Sequence, residues 1–405
     1  MNCKTLGDLG TIITGKTPPT KEASYWNGNI PFITPKDIQI TKHVFSTERC
    51  ISSEGLEKVR GAKLPAGAIC VSCIGNIGYV GVTTETSVSN QQINSIVVND
   101  DNDSEFVFYL LKNLWIYFKN YEGQSTTLSI LNKTHFSEIE VNVPEKSVQK
   151  KIATILSCID NKIELNQKIN ENLERQTQVL FKRLFVDNPD AVEWQSGTFS
   201  DLIEKTISGD WGKDAPSGKN TKMVYCIRGA DIPDVRTGNK GKMPTRYILP
   251  KNYTAKQLVS GDIVVEISGG SPTQSTGRAA AVSSALLARY DKGMVCTNFC
   301  KALKPMAGYS MYVYHYWQHL YDMGIFFSYE NGTTGIKNLD ITGFLETEPI
   351  TIAPLELIER FDLVCQSVYA KIYSNGLENE RLANLRDTLL PKLMSGEIDV
   401  SNIDL

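Results

Sequence analysis

The sequence repeats itself once, and this duplication constrains the fold more than any other feature of the chain. Three short segments of the amino-terminal half recur in the same order in the carboxy-terminal half. The matching pairs are Leu6–Leu9 with Phe199–Leu202, Ile33–Ile38 with Ile227–Ile232, and Leu64–Ile69 with Leu258–Ile263. Later matches lie at a larger offset, so the second copy carries about 15 extra residues. The chain is therefore a tandem repeat with a unit of about 200 residues.

Each repeat has two parts of different texture. The first part consists of short apolar runs, such as Ala68–Ile74 and Asp262–Ile267, which Gly, Pro, Asn and Ser interrupt. Such runs predict β-strands bounded by turns. The second part is a stretch of about 40 residues with little Gly or Pro, in which apolar residues recur with a period near 3.6. That period predicts one long helix at the end of each repeat.

The two predicted helices are long enough to need each other. A helix of about 39 residues spans roughly 58 Å, more than one small globule covers, so we expect the two to pair. Asn375 and Gly376 weaken the second helix by about 1 kcal/mol, and a break there is possible. The predicted fold class is α/β (α+β) in four parts. These are a globule at 1–145, a long helix at 146–187, a second globule at 188–353, and a second long helix with a tail at 354–405.

The composition is that of a globular protein. Of the 405 residues, 41% are hydrophobic and 21% are charged, which excludes disordered and collagen-like classes. No apolar run reaches the roughly 18 residues of a membrane span, and Met1–Gly10 lacks the pattern of a signal peptide. The nine cysteines are odd in number and scattered. We therefore expect a cytoplasmic protein with reduced thiols and no membrane contact.

One segment is strongly basic although the net charge of the chain is −3. Lys219–Lys256 contains nine Lys or Arg residues against two Asp, with Tyr225, Tyr247 and Tyr253 interleaved. A surface that follows a phosphate backbone has this composition, and so does a solvated loop face. The segment alone does not separate these two interpretations.

Gly10–Thr17 matches the phosphate-loop pattern of nucleotide-binding enzymes. That loop needs a helix directly after it, with its N-terminus facing the phosphates. Pro18 and Pro19 prevent an ordinary helix from continuing there, and the second repeat has no Gly-Lys-Thr at the matching place. We interpret the match as fortuitous, and a stand-alone nucleotide-dependent enzyme is the weak alternative.

Other residues that suggest metal or catalytic chemistry have simpler explanations. Cys70 and Cys73 have the spacing of a zinc or redox pair, but the other repeat has Val and Ile at the matching positions. His315 and His319 stand one helical turn apart without a third ligand, and we expect them to be surface or half-buried residues. Methyltransferase and nuclease motifs are not recognisable. We predict that the chain is not an enzyme and has no catalytic or metal-binding residues.

Several segments in their order along the duplicated frame resemble one known family. The segments are Tyr25–Ile38, Ser208–Lys213, Ile227–Ile232, Val143–Leu156 and Leu389–Glu397. Over essentially its full length the chain resembles the DNA specificity (S) subunit of type I restriction–modification enzymes. Phe32 stands where many relatives have Trp, which is a small departure.

The resemblance implies a fold and a role. Each globule would be a target-recognition domain that reads one half of an asymmetric, bipartite, gapped site in double-stranded DNA. The long helices would pair antiparallel as a coiled-coil spacer, giving a pseudo-twofold internal repeat, and would set the distance between half-sites. Two modification (methyltransferase) subunits would dock on the helices and methylate adenine N6 with S-adenosylmethionine. Restriction subunits would join through them and use ATP and Mg²⁺.

Under this resemblance the chain itself binds no cofactor, and the chemistry resides in its partners. A specificity subunit of a fused restriction–methylation enzyme of type IIB or IIG is the alternative within the same class. The genetic neighbour would separate the two, because the fused partner carries nuclease and methyltransferase in one chain.

The candidate DNA-contacting residues are of types that bind phosphates or base edges, on loops beside the strands that match between repeats. They are Lys36, Asn76, Asn90, Gln91, Gln92, Gln124, Ser125, Thr126, Arg228, Ser271, Gln274, Arg278, Asn298 and Lys337. We expect about half of them to cap turns or to bond to their own loops. The candidate partner-contacting residues on the helices are Ile152, Ile159, Leu173, Leu180, Val368, Leu385 and Leu389.

Overall fold

The computed structural model describes residues 1–39, 42–123, 129–271, 273–332 and 336–404. The chain divides into two compact units. Unit 1 comprises Met1–Asn161 and Leu382–Leu405, and unit 2 comprises Lys162–Arg381. Each long helix therefore contributes one part to each unit. The sequence-based borders at 145, 187 and 353 follow a change of texture along the chain and stay predictions.

The globule of unit 1 combines short strands with short helices. Its strands are β1 (Asn2–Thr5), β2 (Gly10–Thr14), β3 (Trp26–Ile33), β4 (His43–Val44), β5 (Arg49–Ile51), β6 (Lys63–Leu64), β7 (Ile69–Ser72), β8 (Val80–Thr83), β9 (Ser87–Ser89), β10 (Ile93–Val98) and β11 (Glu140–Val143). Its helices are α1 (Ser53–Lys58), α2 (Ser104–Asn113), α3 (Trp115–Gly123) and α4 (Lys133–Ser137). The first long helix, α5 (Lys146–Phe181), begins in unit 1 and ends in unit 2 with a π-helical turn over Lys182–Val186.

Unit 2 has the same kind of strand-rich globule. Its strands are β12 (Gln195–Thr198), β13 (Ile203–Ser208), β14 (Lys222–Ile227), β15 (Thr245–Ile248), β16 (Ile263–Glu266), β17 (Ser268–Gly269), β18 (Ala279–Ala281), β19 (Met294–Cys296), β20 (Cys300–Pro305), β21 (Glu330–Asn331), β22 (Lys337–Leu339) and β23 (Pro349–Ile352). Its helices are α6 (Ile232–Arg236), α7 (Pro250–Lys256), α8 (Ser284–Leu287), α9 (Ser310–Asp322) and α10 (Ile341–Thr347). The second long helix, α11 (Leu355–Ser395), begins in unit 2 and ends in unit 1.

The duplication predicted from sequence is present in the sheet topology. The antiparallel order β2-β10-β7-β8 in unit 1 recurs as β13-β20-β16-β18 in unit 2. The parallel pair of β3 and β9 recurs as the parallel pair of β14 and β19. In each unit an opening strand pairs with the strand that precedes a long helix, as β1 with β11 and β12 with β23. The two globules therefore have one architecture.

The repeated openings of the two globules are capped turns. The Thr5 backbone N–H donates to the Asp8 carboxylate at 2.7 Å, and the Thr198 N–H donates to Asp201 at the same distance. These reciprocal caps hold a short 3₁₀ turn in each unit. The apolar residues of the two turns are almost fully buried and enter the cores. The matching sequences Leu-Gly-Asp-Leu and Phe-Ser-Asp-Leu thus form the same capped turn, once in each unit.

Polar side chains connect the two long helices within each unit. In unit 2 the Asn166 amide donates to Asn379 at 2.9 Å, and the Asn375 amide donates to Asn170 at 2.8 Å. The residue numbers rise on α5 while they fall on α11, so the two segments run antiparallel within unit 2. In unit 1 the two helices are linked by an ion pair at 2.7 Å between Asp160 of α5 and Arg386 of α11. The paired helices of the sequence prediction are therefore present in both units.

The second long helix does not break at Asn375 and Gly376. It is continuous from Leu355 to Ser395, and Asn375 is 1% exposed. A Cβ atom at Gly376 would lie 1.8 Å from the carbonyl oxygen of Gly238, which itself has a φ of +82°. Glycine is required at position 376 because the loop after α6 approaches the helix backbone closely.

This close approach reverses the usual effect of glycine in a helix. Replacing a helical glycine by alanine normally stabilises by about 1 kcal/mol. For Gly376→Ala we expect the free energy of unfolding to fall by about 1–3 kcal/mol, because the new methyl group overlaps the Gly238 carbonyl. Urea denaturation of the two proteins measures this difference.

Gly61→Ala is the matched control for that substitution. A Cβ atom at Gly61 meets nothing within 4 Å, so its effect is expected to stay within about 0.5 kcal/mol. If Gly376→Ala were as harmless as the control, the packing explanation of this glycine would be wrong.

Candidate nucleic-acid interface

The loops that carry the candidate residues leave each globule at one edge. In unit 1 the Lys16 N–H donates to the Ser89 carbonyl at 2.8 Å, and the Asn90 N–H donates to the Ile33 carbonyl at 2.9 Å. These bonds join the ends of β2, β3 and β9. The end of β7 lies at the same edge, because Ser72 pairs with Ile93 at the start of β10. We call the loops 15–22, 34–39, 73–79 and 90–92 the loop edge of unit 1.

Unit 2 repeats this edge bond for bond. The Asp210 N–H donates to the Cys296 carbonyl at 2.8 Å, and the Thr297 N–H donates to the Ile227 carbonyl at 3.0 Å. The loop edge of unit 2 consists of loops 209–221, 228–231, 267–278 and 297–299. By these bonds the loop that begins at Thr297 is the counterpart of the loop that begins at Asn90.

Glycines permit the close approach of the loops at both edges. A Cβ atom at Gly15 would lie 2.0 Å from the Asn90 carbonyl oxygen, and one at Gly209 would lie 1.9 Å from that of Thr297. Packing therefore explains why glycine occurs at position 15 and at the equivalent position 209, and Gly15 need not be part of a phosphate loop. Gly10–Thr14 forms strand β2, whose backbone is engaged in the ladder with β10. No helix follows Lys16 and Thr17 directly in the described residues, so the nucleotide-binding alternative has no structural basis.

The candidates of unit 1 divide into free and engaged side chains. Asn76 is exposed on the loop edge, and so is Lys36, which forms an exposed ion pair with Glu48 at 3.9 Å. Gln91 is also exposed, and its side-chain oxygen accepts a hydrogen bond from Thr17 at 2.5 Å. Asn90 and Gln92 bond to each other, with the Asn90 amide donating to the Gln92 oxygen at 2.9 Å. Gln124, Ser125 and Thr126 lie outside the described residues.

The arginine candidates of unit 2 are held by carboxylates. Arg228 donates to Asp231 at 2.9 and 3.1 Å, and it also donates to the Lys242 carbonyl at 2.8 Å. Arg278 donates to both carboxylate oxygens of Glu266 at 2.7 Å. These hydrogen bonds fix the direction of each guanidinium. Ionic pairing with a buried acid also neutralises much of the charge that a phosphate would meet.

The remaining candidates of unit 2 differ in their freedom. Lys337 forms an ion pair with Glu330 at 2.7 Å. Ser271 closes its own turn, because its hydroxyl oxygen accepts from the backbone N–H of Gln274 at 3.0 Å. The Gln274 side chain is exposed, and so is that of Asn298 at the tip of its loop. Asn298 is the counterpart of Gln91 in unit 1.

The basic segment Lys219–Lys256 is less basic as a surface than as a sequence. Arg236 pairs with Glu174 at 2.8 Å, and Arg246 pairs with Asp214. Lys240 pairs with Glu380 at 3.8 Å, and the Lys256 ammonium donates to the Gly209 carbonyl at 2.8 Å. In the described ranges Lys213, which precedes this segment, and Lys242 within it form no ion pair, and both residues are exposed. Only a few lysines of this surface therefore remain available to bind a phosphate backbone.

A cleft at the loop edge of unit 2 was not predicted from the sequence. It has a volume of about 580 Å³. The residues that define it are Trp211, Phe299, Ile336, Arg228, Asn298 and Glu266. Phe299 is 57% exposed and Trp211 is 38% exposed. The sequence signal for it is the aromatic character of Trp211 and Phe299 beside the candidate loops, whereas the candidate DNA-contacting residues are all polar.

Cys70, Cys73 and His315 are buried in the hydrophobic cores, whereas His319 is half-buried, as expected from the sequence. Burial raises the pKa of Cys70 to about 11 and that of Cys73 to about 12, so both remain neutral thiols. His315 is fully buried, which corrects the expected surface or half-buried position, and burial lowers its pKa to about 3. Across the described part of the chain, His, Cys, Asp and Glu side chains do not gather in groups of three as a metal site requires.

The partner-contact candidates on the long helices are mostly covered by their own unit. Ile152 is 2% exposed in the core of unit 1 and is not available to a partner. Ile159 is half-buried. Leu389 packs against the core of unit 1, while Leu173, Leu180 and Val368 pack against that of unit 2. Leu385 is 48% exposed. The most exposed apolar side chains of the helices are Leu363 and Val179, at 65% and 63%.

In the ranges that the structure describes, no helix combines the length and the apolar character needed to cross a bilayer.

Comparison with known proteins shows similarity to specificity subunits of type I restriction enzymes. Residues 1–175 match the family model described as the type I restriction modification DNA specificity domain. The chain is 28% identical to the MjaIX type I restriction enzyme specificity subunit of Methanocaldococcus jannaschii, over 99% of this chain and 94% of that protein. It is 35% identical to the HindI type I restriction enzyme specificity subunit of Haemophilus influenzae, over 42% of this chain and 38% of that protein.

A solved structure has the same fold. The crystal structure of a type I restriction–modification S subunit from M. genitalium superposes with a TM-score of 0.53 at 16% sequence identity. The match covers 97% of this chain and 96% of that one. The tandem α/β architecture predicted from the duplication is thereby confirmed.

The buried carboxylate of Asp231 supports a stability prediction. Burial acts to raise its pKa, but hydrogen bonds from Arg228 and from the Lys242 backbone outweigh burial, and the pKa lies below the usual 3.8. The stabilisation is fully present above pH 3.8 and is lost as the pH falls through the lower, folded-state pKa. We expect Asp231→Asn to lower the free energy of unfolding by about 2 kcal/mol at pH 7. Urea denaturation at pH 7 and below pH 3.8 should show this difference shrinking in acid.

Asp234→Asn on the same short helix is the control. Within the described residues no hydrogen bond reaches the Asp234 carboxylate. The free energy of unfolding of this variant is therefore expected to stay within about 0.5 kcal/mol of that of the parent. A difference between Asp231→Asn and the parent that stayed constant with pH would contradict the assigned role of the ionised carboxylate.

Proposed function

We propose that the chain is a specificity subunit of the type I restriction–modification family, to whose members it is similar over nearly its whole length, and that each loop edge reads one half of a bipartite, gapped site in double-stranded DNA. The observation that carries the proposal is the repeated edge, held by identical backbone hydrogen bonds in both units. The side chains on the two edges differ, as Gln91 in unit 1 and Asn298 in unit 2 do. An asymmetric site follows, because base edges are read by side chains. The subunit itself is non-catalytic.

The exposed amide side chains of the loop edges are the best candidates for reading bases. Asn76 and Gln91 in unit 1, with Gln274 and Asn298 in unit 2, carry exposed amides, which suit the major-groove edge of adenine. The candidates whose side chains already bond within the protein support or orient the loops and contact the DNA backbone. They are Lys36, Asn90, Gln92, Arg228, Ser271, Arg278 and Lys337. Gln124, Ser125 and Thr126 remain candidates of the same kind.

Exposed lysines at the edges suit phosphate contacts. Lys16 in unit 1 and Lys213 and Lys242 in unit 2 are exposed, and each lies beside a loop that the backbone bonds hold in place. Phosphate contacts from such lysines position a protein on the duplex without reading its sequence. A few free lysines on each edge are compatible with a net charge of −3 for the chain.

The long helices complete the proposal. They act as an antiparallel coiled-coil spacer that sets the distance between half-sites, and they dock two modification subunits. Those subunits methylate adenine N6 with S-adenosylmethionine, and restriction subunits that use ATP and Mg²⁺ join through them. The chain holds no cofactor of its own and works in the cytoplasm, where its DNA and its partners are.

Methylation sequencing tests the function directly. DNA from cells that express this chain with its cognate modification subunit should carry one new asymmetric, gapped motif with methylated adenine in each half. We expect Asn76→Ala to relax the motif in one half only and Asn298→Ala to relax it in the other half only. Each lost amide contact costs about 1–3 kcal/mol of base discrimination.

The outcomes of this experiment separate clearly. An assembled complex that produces no new methylated motif would contradict the proposed function. If both variants relaxed the same half, the assignment of one half-site to each unit would be wrong. Lys205→Ala is the control: Lys205 is exposed on β13 away from the loop edge, and the motif should not change.

Docking is tested on the exposed face of α11. Leu363 is 65% exposed there, with Val364 beside it at 44%. We expect Leu363→Asp to weaken capture of the modification subunit at least about tenfold, because a charge would then be buried in the interface. Titration of tagged chain against the purified modification subunit measures this change.

Val192→Asp is the matched control, since Val192 is 89% exposed and lies outside both long helices. Its affinity for the modification subunit should equal that of the parent. Equal binding by Leu363→Asp would exclude this face of α11 as the docking surface.

A further inference from the structure

The cleft at the loop edge of unit 2 is an apolar feature on a surface that is otherwise polar. Its walls include the exposed side chains of Trp211, Phe299 and Ile336. Single exposed apolar residues are ordinary, but a cluster of them inside a polar rim marks a binding site. The rim carries the Asn298 amide and the Arg228 guanidinium.

The backbone of Phe299 and the ring of Trp211 are held in place by contacts within unit 2. The Phe299 carbonyl accepts hydrogen bonds from the backbone N–H groups of Ile267 at 2.8 Å and Ser268 at 3.2 Å. The Arg246 guanidinium stacks on the Trp211 ring at 4.0 Å from its centre and donates to the Trp211 carbonyl at 2.8 Å. A site with preorganised walls loses little entropy on binding and discriminates by shape.

Charge around the cleft identifies the class of ligand. Trp211 is followed two residues later by the exposed Lys213. Arg228 bonds to the backbone of Lys242, whose exposed side chain therefore starts beside the cleft. An apolar site bordered by free cations fits an apolar group carried on a polyanion. In unmodified DNA the apolar group on a base edge is the C5-methyl group of thymine in the major groove.

We propose that this cleft receives a thymine C5-methyl group, and that Phe299 determines the specificity of unit 2 for an A·T pair. The inference rests on the proposed function and assigns one chemical group to one wall of the loop edge. Gln92 takes the place of Phe299 in unit 1, where it bonds to Asn90. The methyl-reading feature is therefore a property of unit 2.

Replacement of thymine by uracil removes only the methyl group and tests the proposal. The assembled methyltransferase containing this chain is titrated with synthetic duplexes that carry its motif. In each duplex one thymine of the half-site assigned to unit 2 is replaced by uracil. We expect one position at which uracil weakens binding about fourfold, the value of one buried methyl group.

Phe299 variants show whether the cleft is responsible. For Phe299→Ala the thymine-to-uracil ratio at that position should fall to about one, while Phe299→Leu, which keeps an apolar contact, should retain most of it. Both variants are expected to fold, because the side chain is 57% exposed. Val259→Ala, an exposed apolar residue away from the loop edge, should leave the ratio unchanged.

Each outcome has one meaning. A half-site without an A·T pair, or with no position sensitive to uracil, overturns the inference while the proposed function stands. Sensitivity that persists unchanged in Phe299→Ala assigns the methyl contact elsewhere and also overturns it. An assembled complex that binds no specific DNA contradicts the proposed function itself.

Discussion

Backbone hydrogen bonds between strand ends and loops are the constraint on which the rest of this structure depends. In unit 1 they end on the carbonyls of Ile33 and Ser89, and in unit 2 on those of Ile227 and Cys296. Because main-chain groups make these bonds, this part of the loop edge does not depend on which side chains the loops present. These hydrogen bonds require glycine at positions 15 and 209, because a Cβ atom there would overlap a backbone carbonyl. A duplicated scaffold of this kind lets specificity diverge between repeats without loss of the fold.

The distribution of ion pairs separates the side chains that hold the scaffold from those free to read. Arg278 and Glu266 form a bidentate pair with the acid 7% exposed, and such geometry fixes a guanidinium at the cost of its free charge. Exposed amides such as that of Asn298 are not held by an ion pair of this kind. A surface built this way relies on hydrogen bonding and shape for discrimination and on a few lysines for attraction. A slightly acidic chain is then compatible with DNA binding.

The sequence predicted the parts of the fold that depend on local pattern. Duplication, strand-rich globules and two long helices all follow from repeats and periodicity, and the sheet topology agrees with them. The state of each candidate residue depends on partners that are distant in sequence. Arg236 meets Glu174, which is 62 residues away, and this pair removes a cation from the predicted basic surface. Sequence spacing does not reveal ion pairs between distant residues. The sequence alone therefore could not separate candidates with free side chains from those that bond within the protein.

Gly376 illustrates the same limit and also shows what the long helices require. Its helix propensity alone suggested a weak point, whereas the close approach of Gly238 makes it a packing position. The neighbouring Asn375 bonds to Asn170, and Asn379 bonds to Asn166 one turn further along. Buried asparagines between helices cost stability relative to apolar pairs but favour one register, since a slipped pair would lose the hydrogen bonds between asparagines. The proposed spacer role requires one register more than it requires maximal stability, and the buried asparagines favour one register within unit 2.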